Sequence, residues 1–192
     1  MPRPRHLGTI TVRLPGEMSR LRHMILYVAR RCYSAKYFGA IKLNKIIWKA
    51  DFDAFAARGV PVTGREYRRQ KLGPVLREMK RLHTEMLIEG AIRVERREFG
   101  EDIVEFRTVA QDEPNLSLFT TEDLSFVDEA ISHYWEMTGQ ESSDGSHGVA
   151  WRTRANGDPM PYELSLLSDR GLGAAQEKRL TDMIARRRTQ TL

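Results

Sequence analysis

Residues 40–59, with the sequence AIKLNKIIWKADFDAFAARG, carry a hydrophobic pattern that decides much of the fold. Their apolar residues recur three and four positions apart, as on one face of an α-helix. These residues are Leu43, Ile46, Ile47, Ala50, Ala54 and Phe55. Gly59 follows them, and glycine readily adopts the left-handed conformation in which many helices end. The pattern therefore predicts a helix over residues 40–58 with one apolar face against a core.

Further helices are predicted along the chain. Ser19 is a typical N-cap residue, and apolar residues at helical spacing follow it, which predicts a helix over 19–34. Thr120, with an acidic residue three positions later, forms a capping box at the start of another helix. A short helical turn is expected at 66–69. Pro74 suits the first turn of a helix because it lacks the N–H that would be unpaired there.

One β-hairpin interrupts these helices. The segments 91–96 and 102–109 are rich in residues that favour strands, and 99–101 has the composition of a turn. The expected fold class is mainly α with α+β character, in which about five helices form a compact domain and one β-hairpin is inserted near residues 91–110.

The remaining segments set the predicted boundaries. The Ser-, Asp- and Gly-rich segment 139–148 and the segment 151–161 are expected to be exposed connections. The chain is then expected to divide into three parts. They are a basic N-terminal arm over 1–18, a single domain over 19–168, and a C-terminal helix with an Arg-rich tail over 169–192.

Composition limits the class of protein. The chain has 192 residues, of which 41% are hydrophobic and 30% are charged, so it can bury a core and is not a disordered protein. No apolar stretch approaches the ~18 residues that a membrane-spanning helix requires. The basic start of the chain lacks the apolar region of a secretory signal. Cys32 is the single cysteine and lies on an apolar helical stripe, which favours a core residue. A cytoplasmic protein is expected.

The net charge of +5 is distributed unevenly. Residues 1–50 hold eleven Lys and Arg residues and one acidic residue, whereas 101–150 hold one Arg and twelve acidic residues. Such asymmetry fits a nucleic-acid face, a charged partner, or two parts of one fold that attract each other. Because a domain of this size packs its halves together, the third explanation is favoured without excluding the others.

The sequence contains no evident catalytic or cofactor site. The glycine patterns of nucleotide-binding loops and the paired histidines of zinc enzymes are absent, so no cofactor and no metal ion is expected. Asp144, Ser146 and His147 are the residue types of a nucleophilic site, but a catalytic triad requires convergence in space rather than in sequence. They are interpreted as a loop in which Ser or Asp caps a turn. No catalytic residue is assigned, and the protein is not expected to be an enzyme.

DNA binding is an alternative function. The first hundred residues are basic and include several aromatic residues, and the predicted hairpin follows three helices. Three helices with a hairpin wing are one way to bind DNA, with Arg and Lys contacting phosphates. Acidic residues lie among the basic ones, which counts against a continuous DNA-binding face.

Four blocks of sequence resemble a known family. Residues 42–51, KLNKIIWKAD, resemble the Lys-Leu helix of the Panacea, or SocA-like, antitoxin domain family. Residues 62–67, VTGREY, and 73–75, GPV, are similar to its stretch with Thr-Gly, Tyr and Gly-Pro-Val. Residues 118–135 resemble a later helix of the family. The Ser-His, Trp and Tyr-Glu residues within 146–163 resemble its closing pattern.

The resemblance implies a function and partners. It implies the antitoxin of a toxin–antitoxin module, which neutralises a partner toxin by direct protein–protein binding. Some members of the family act as proteolytic adaptors that deliver the toxin to a protease. The implied partners are therefore a cognate toxin from the adjacent gene, a protease, and operator DNA, with no membrane.

The resemblance also selects candidate partner-binding residues. They are Lys42, Lys45, Trp48, Asp51, Tyr67, Gly73, Pro74, His147 and Trp151. Each also has a purely structural interpretation. The charged residues of the Lys-Leu helix can form its polar face, the Tyr and Trp side chains can belong to the core or its boundary, and the Gly-Pro pair can start a helix. The histidine can cap a turn or contact the Lys-Leu helix.

Overall fold

The computed structural model describes residues 17–99 and 103–167, together with residues 178 and 182. The helices of this part are α1 (Glu17–Arg31), α2 (Ala40–Arg58), α3 (Met79–Ile88), α4 (Thr121–Tyr134), α5 (Gly139–Gly145) and α6 (Val149–Arg152). The strands are β1 (Tyr67–Gln70), β2 (Gly73–Leu76), β3 (Ile92–Phe99) and β4 (Ile103–Ala110). Short 3-10 helices cover Leu116–Leu118 and Tyr162–Leu166. The predicted basic arm up to residue 16, the turn at 100–102 and almost all of the predicted C-terminal helix and tail lie outside the described residues.

Helix α2 is the centre of the fold, and its predicted bounds are confirmed. It packs against α1, α4, α5, β2 and the 3-10 helix Tyr162–Leu166. The N–H of Gly59, at a φ of 76°, bonds to the carbonyl of Phe55 and ends the helix. Burial extends well beyond the single apolar face that the sequence predicts. The buried residues of α2 are Lys42, Leu43, Lys45, Ile46, Ile47, Ala50, Asp51, Phe52, Ala54, Phe55 and Ala56.

The predicted hairpin is formed by β3 and β4, which pair antiparallel from Ile92 opposite Ala110. The fold class is confirmed as a compact α+β domain with a hairpin. Arg107 attaches this hairpin to the rest of the domain. Its fully buried guanidinium bonds to Glu105 at 2.6 Å and to the carbonyl of Ala35, in the turn after α1, at 2.5 Å.

Another hairpin, β1–β2, is the first along the chain, and it replaces the expected helical turn at 66–69 and the expected helix start at Pro74. Both of these predictions are wrong. Tyr67 pairs with Leu76 and Gln70 with Gly73, and the helix begins only at Met79. Distant main-chain bonds favour the strand, because the backbone of β1 also bonds to residues 157–160. The sequence around β1 does not predict these bonds, because their partners lie about ninety residues away.

The segment 139–148, predicted to be a loop, forms helix α5 and its connection to α6. Thr138 accepts a hydrogen bond from the N–H of Glu141, whose side chain accepts one from the N–H of Thr138. This capping box starts the helix in spite of its Ser and Gly content, because it satisfies N–H groups that the first turn leaves unpaired. The predicted capping box of Thr120 and Asp123 is confirmed at the start of α4. In the segment 151–161, α6 extends to Arg152.

Ion pairs explain the uneven charge of the sequence. Arginines of α1 and α2 pair with acidic residues of the segment 112–128. The pairs are Arg20–Asp123, Arg22–Asp112, Arg30–Glu113, Arg31–Asp128, Arg58–Glu122 and Arg58–Asp123. The basic and acidic parts of the chain therefore attract each other within one fold, as the favoured explanation predicts.

Two further sequence predictions can be compared with the structure. Cys32 is buried in the core, and burial raises the pKa of its thiol to about 12, which confirms a core residue. None of the helices in the described part of the chain has both the length and the apolar character of a membrane span.

Candidate functional site

Asp51 is fully buried in α2 and joins three parts of the chain. One carboxylate oxygen accepts a hydrogen bond from the backbone N–H of Thr63 at 2.6 Å, and the other accepts one from the Tyr67 hydroxyl at 2.6 Å. The Thr63 hydroxyl donates to the same carboxylate. Nearby, the Tyr162 hydroxyl donates to the carbonyl of Arg65 at 2.6 Å. One side chain thus fixes α2 to the following loop and to the first hairpin.

The surroundings of Asp51 change its proton affinity. Burial raises the pKa of the Asp51 carboxyl to about 6, and the hydrogen bonds from Thr63 and Tyr67 act in the opposite direction. Burial also raises the pKa of the Tyr67 hydroxyl well above its usual value, and the Asp51 charge adds to this effect. Tyr67 therefore remains a hydrogen-bond donor throughout the physiological pH range.

Lys45 is buried one helical turn and a half before Asp51. Its ammonium group donates a hydrogen bond to the carbonyl of Pro74 at 3.0 Å. Among the described residues no carboxylate forms an ion pair with it. Burial lowers the pKa of Lys45 to about 7, because the charged form loses its hydration. Lys45 therefore holds β2 to α2 through a main-chain carbonyl.

Gly73 lets the turn of the first hairpin approach this lysine closely. Its φ is +96°, and a Cβ atom at this position would overlap Lys45 Nζ and Ser146 Oγ. The same turn is held from α5, where Ser143 Oγ donates to the carbonyl of Leu72 at 3.1 Å. Glycine is required here both by the backbone angle and by the lack of space.

Trp151 and His147 hold the other side of the hairpin. The indole N–H of Trp151 donates to the carbonyl of Gln70 at 2.9 Å. The His147 ring stacks on the indole with centroids 3.8 Å apart, and the Arg69 guanidinium lies 3.8 Å from the indole centroid. Burial, and then the charge of Lys45, lower the pKa of His147. The stack fixes α6 against the turn of β1–β2.

Lys42 and Trp48 complete the predicted set. The buried ammonium of Lys42 donates to the carbonyls of Lys36 at 2.8 Å and Trp135 at 3.1 Å, and burial lowers its pKa. Trp48 is half-buried beside Phe52 and lines a cavity of about 310 Å³. The indole nitrogen of Trp48 has no hydrogen-bond partner within the described part of the chain.

The structure sorts the predicted residues into two adjoining clusters. Asp51 and Tyr67 belong to the first, and the second surrounds the turn of the first hairpin. The second cluster contains Lys45, Gly73, Pro74, His147 and Trp151. Lys42 lies apart from both, whereas Trp48 lines a cavity together with Ser146, beside the second cluster. The interpretation of Lys42, Lys45 and Asp51 as a polar face is wrong, because all three side chains are buried. The helix-start role of Gly73 and Pro74 is equally wrong, because both lie in β2.

Sequence reasoning did not select Thr63, Ser143, Tyr162 or Arg69. Thr63 and Tyr162 fall inside the blocks that resemble the family, so that signal could have selected them. Ser143 and Arg69 have no sequence signal, because their roles depend on α5 and β1, which were not predicted.

The Ser and His residues near 146 do not form a nucleophilic pair. Ser146 Oγ donates to the carbonyl of Ser143 at 2.6 Å, and the His147 ring faces Trp151. No hydrogen bond joins Ser146 to His147 among the residues that the structure describes. No group of three His, Cys, Asp or Glu residues there could hold a metal ion.

Replacing Gly73 with alanine tests the close approach at the hairpin turn. We expect Gly73→Ala to lower the free energy of unfolding by about 2–4 kcal/mol, through backbone strain and overlap with Lys45 and Ser146. The matched control is Gly90→Ala, where φ is also positive, at +76°, but nothing lies within 4 Å of the added Cβ. Urea unfolding measures both. An equal loss in the two variants would show that the overlap contributes nothing.

The fold and the site together define a small α+β domain in which buried polar side chains fix a hairpin to a central helix. A family model described as antitoxin SocA-like, Panacea domain, matches residues 43–152. The chain belongs to this family of SocA-like antitoxins, which confirms the resemblance seen in the sequence. No curated protein and no solved structure matches the chain.

Proposed function

We propose that this protein is the antitoxin of a toxin–antitoxin module and that it neutralises its toxin by binding it directly, without catalysis. The observation that carries the proposal is the family match over residues 43–152, which runs from α2 to the end of α6. This is the region in which the buried polar side chains hold α2, the first hairpin and α6 together. A rigid surface of this kind suits stoichiometric recognition of another protein, because little entropy is lost when it binds.

The chemistry of the site supports binding rather than catalysis. Lys45, Asp51 and Ser146 are titratable or nucleophilic, yet each is buried and uses its polar atoms in hydrogen bonds within the fold. His147 is stacked on Trp151. Lys45, Asp51 and Ser146 are therefore occupied in positioning other parts of the fold.

The second hairpin gives little support to the DNA-binding alternative. A wing that contacts phosphates needs unpaired cations, but the arginines of β3 and β4 pair with glutamates of the same hairpin. These pairs are Arg93–Glu95, Arg96–Glu98, Arg97–Glu95 and Arg107–Glu105.

A protease and operator DNA as additional partners, and the cytoplasmic location, remain predictions.

Co-expression with the product of the adjacent gene tests the proposal. We expect that product alone to stop growth, and this chain to restore growth and to co-purify with it. A stop codon early in this chain is the control for transcript effects. Toxicity that a well-expressed chain fails to relieve would contradict the proposal.

A further inference from the structure

The tip of the first hairpin carries a group of cations that form no ion pair with the carboxylates of the described residues. Arg68, Lys71 and Leu72 are exposed at this tip, and Arg69 is half-buried against Trp151. Arg154 lies two residues after the end of α6, and its N–H bonds weakly to the carbonyl of Trp151 at 3.4 Å. We call these six residues, Arg68, Arg69, Lys71, Leu72, Trp151 and Arg154, the hairpin-tip surface.

The cations of this surface differ from most others in the protein. Among the described residues, none of Arg68, Arg69, Lys71 and Arg154 forms an ion pair. Elsewhere the arginines of α1, the end of α2, α3 and β3–β4 pair with carboxylates. Examples are Arg20, Arg22, Arg30, Arg31, Arg58, Arg81, Arg93, Arg96 and Arg97. Four cations without ion pairs, close together in the sequence or joined through Trp151, therefore give a local excess of positive charge at the hairpin tip.

The hairpin-tip surface is also held rigid. Trp151 is fixed by its bond to the carbonyl of Gln70, and Arg69 lies over the indole while donating to Asn156 Oδ1 at 3.3 Å. The Nε atom of Arg69 is buried and has no hydrogen-bond partner in the described part of the chain. Rigid Trp and Arg side chains are the residue types that most often dominate protein interfaces.

From this arrangement we infer that the hairpin-tip surface binds an acidic surface of the partner protein. The inference rests on the proposed function and specifies the chemistry of its partner. Guanidinium groups bind carboxylates in a fixed two-pronged geometry, and unpaired positive charge accelerates the encounter with an acidic partner. Leu72 supplies an apolar contact beside Lys71, since it is 42% exposed at the turn between β1 and β2.

An acidic protein fits this surface better than a nucleic acid does. Protein interfaces combine apolar contacts with a polar rim, and an exposed Leu72 next to Lys71 offers both kinds of contact. Carboxylates also border the surface, because Asp144 and Asp158 lie beside it in α5 and in the 155–158 turn. The phosphate backbone of a nucleic acid extends over a long surface and would come close to these carboxylates, which repel it. A compact contact with a protein can avoid them.

The test reverses two exposed cations that make no ion pair. Arg68→Glu with Lys71→Glu changes the surface without touching the stack of Arg69 on Trp151. We expect association with the product of the adjacent gene to become about tenfold slower, and its dependence on salt to weaken. Surface plasmon resonance at several salt concentrations measures both quantities. Lys71→Glu alone repeats the test if the double variant melts early, because the exposed Lys71 side chain forms no hydrogen bond or ion pair within the described part of the chain.

The matched control carries the same change in net charge. Lys36→Glu with Lys80→Glu reverses two exposed cations outside the hairpin-tip surface, and we expect association within about twofold of the wild type. A second variant, Leu72→Ala, is expected to accelerate dissociation several-fold while leaving the salt dependence unchanged.

Each other outcome overturns the inference in a recognisable way. If both charge-reversed pairs slow association equally, net charge rather than this surface is responsible. If neither pair does, the partner binds elsewhere and the proposed function survives. If the wild type forms no complex at all, the proposed function fails as well. If the Arg68→Glu, Lys71→Glu variant loses the wild type's binding to a random 20-base-pair duplex but still binds the toxin normally, the surface binds nucleic acid instead.

Discussion

Replacing Asp51 with alanine is expected to lower the free energy of unfolding by about 3–5 kcal/mol. The carboxylate accepts hydrogen bonds from the N–H and hydroxyl of Thr63 and from the hydroxyl of Tyr67. All of these groups are buried, so each donor would lose its acceptor without gaining water. Urea unfolding at pH 7.5 measures the loss.

Asp53, two residues later in the same helix, provides the control for this substitution. Its carboxylate is about half exposed and, among the described residues, pairs only with Lys49, one turn earlier, at 2.8 Å. Asp53→Ala is therefore expected to cost about 0.5 kcal/mol or less. Similar losses in the two variants would show that the hydrogen bonds of Asp51 do not hold the first hairpin to α2.

The second large effect is a dependence of stability on pH that originates at Lys45. Its pKa is lowered to about 7 in the folded protein, from 10.5 in an exposed lysine. Between these two values the unfolded chain binds the proton more tightly, so stability rises as pH increases. Below pH 7 Lys45 is charged in both the folded and the unfolded protein, and the folded protein bears the full cost of burying the ammonium group. The contribution across this window is about 4 kcal/mol.

Lys45→Met isolates this contribution, because methionine has a similar length and no charge. We expect the stability of the variant relative to the wild type to be greatest near pH 6 and to fall by about 4 kcal/mol by pH 10. Thermal or urea unfolding of both proteins across that range measures the difference, in which titrating groups that do not interact with Lys45 cancel. A difference that stays constant with pH would show that Lys45 keeps its charge when buried.

The sequence predicts the elements whose signals are local. Helix α2 has helical spacing and a C-terminal glycine, the β3–β4 hairpin has two β-prone segments, and α4 has a capping box at Thr120. Each of these depends on residues within a few positions of one another. The charge pattern can also be read from the sequence although its ion pairs join distant residues, because segments of opposite charge in one small domain attract each other.

The elements that the sequence does not predict depend on distant contacts. β1 is a strand because residues 157–160 bond to its backbone, and a Pro in β2 locally favours a helix start. The sequence does not predict the burial of Lys42 and Lys45 either. Lysine has a strong local preference for solvent, and only carbonyl groups brought in from Lys36, Trp135 and Pro74 make burial tolerable.

The sequence predicts which residues belong to the candidate site but not what each of them does. The resemblance to the family selects Asp51, Tyr67 and Gly73, and the structure brings these residues or their neighbours into contact. Their use as partner-binding residues stays a prediction, because in this structure they support the fold from within. The exposed residues beside them, Arg68 and Lys71, lie outside the blocks that resemble the family. They are selected as candidates because the structure shows no ion pair for them among the described residues.

Titration of purified toxin with this protein tests the central claim most directly. The toxin is the product of the adjacent gene, and its activity is followed together with the heat of binding. Neutralisation by binding predicts that inhibition and heat both saturate at a fixed molar ratio close to one protein per toxin, and that the toxin recovers when the complex is dissociated. Complete and irreversible inactivation by a small fraction of one equivalent would contradict it, because only a catalyst acts in that way.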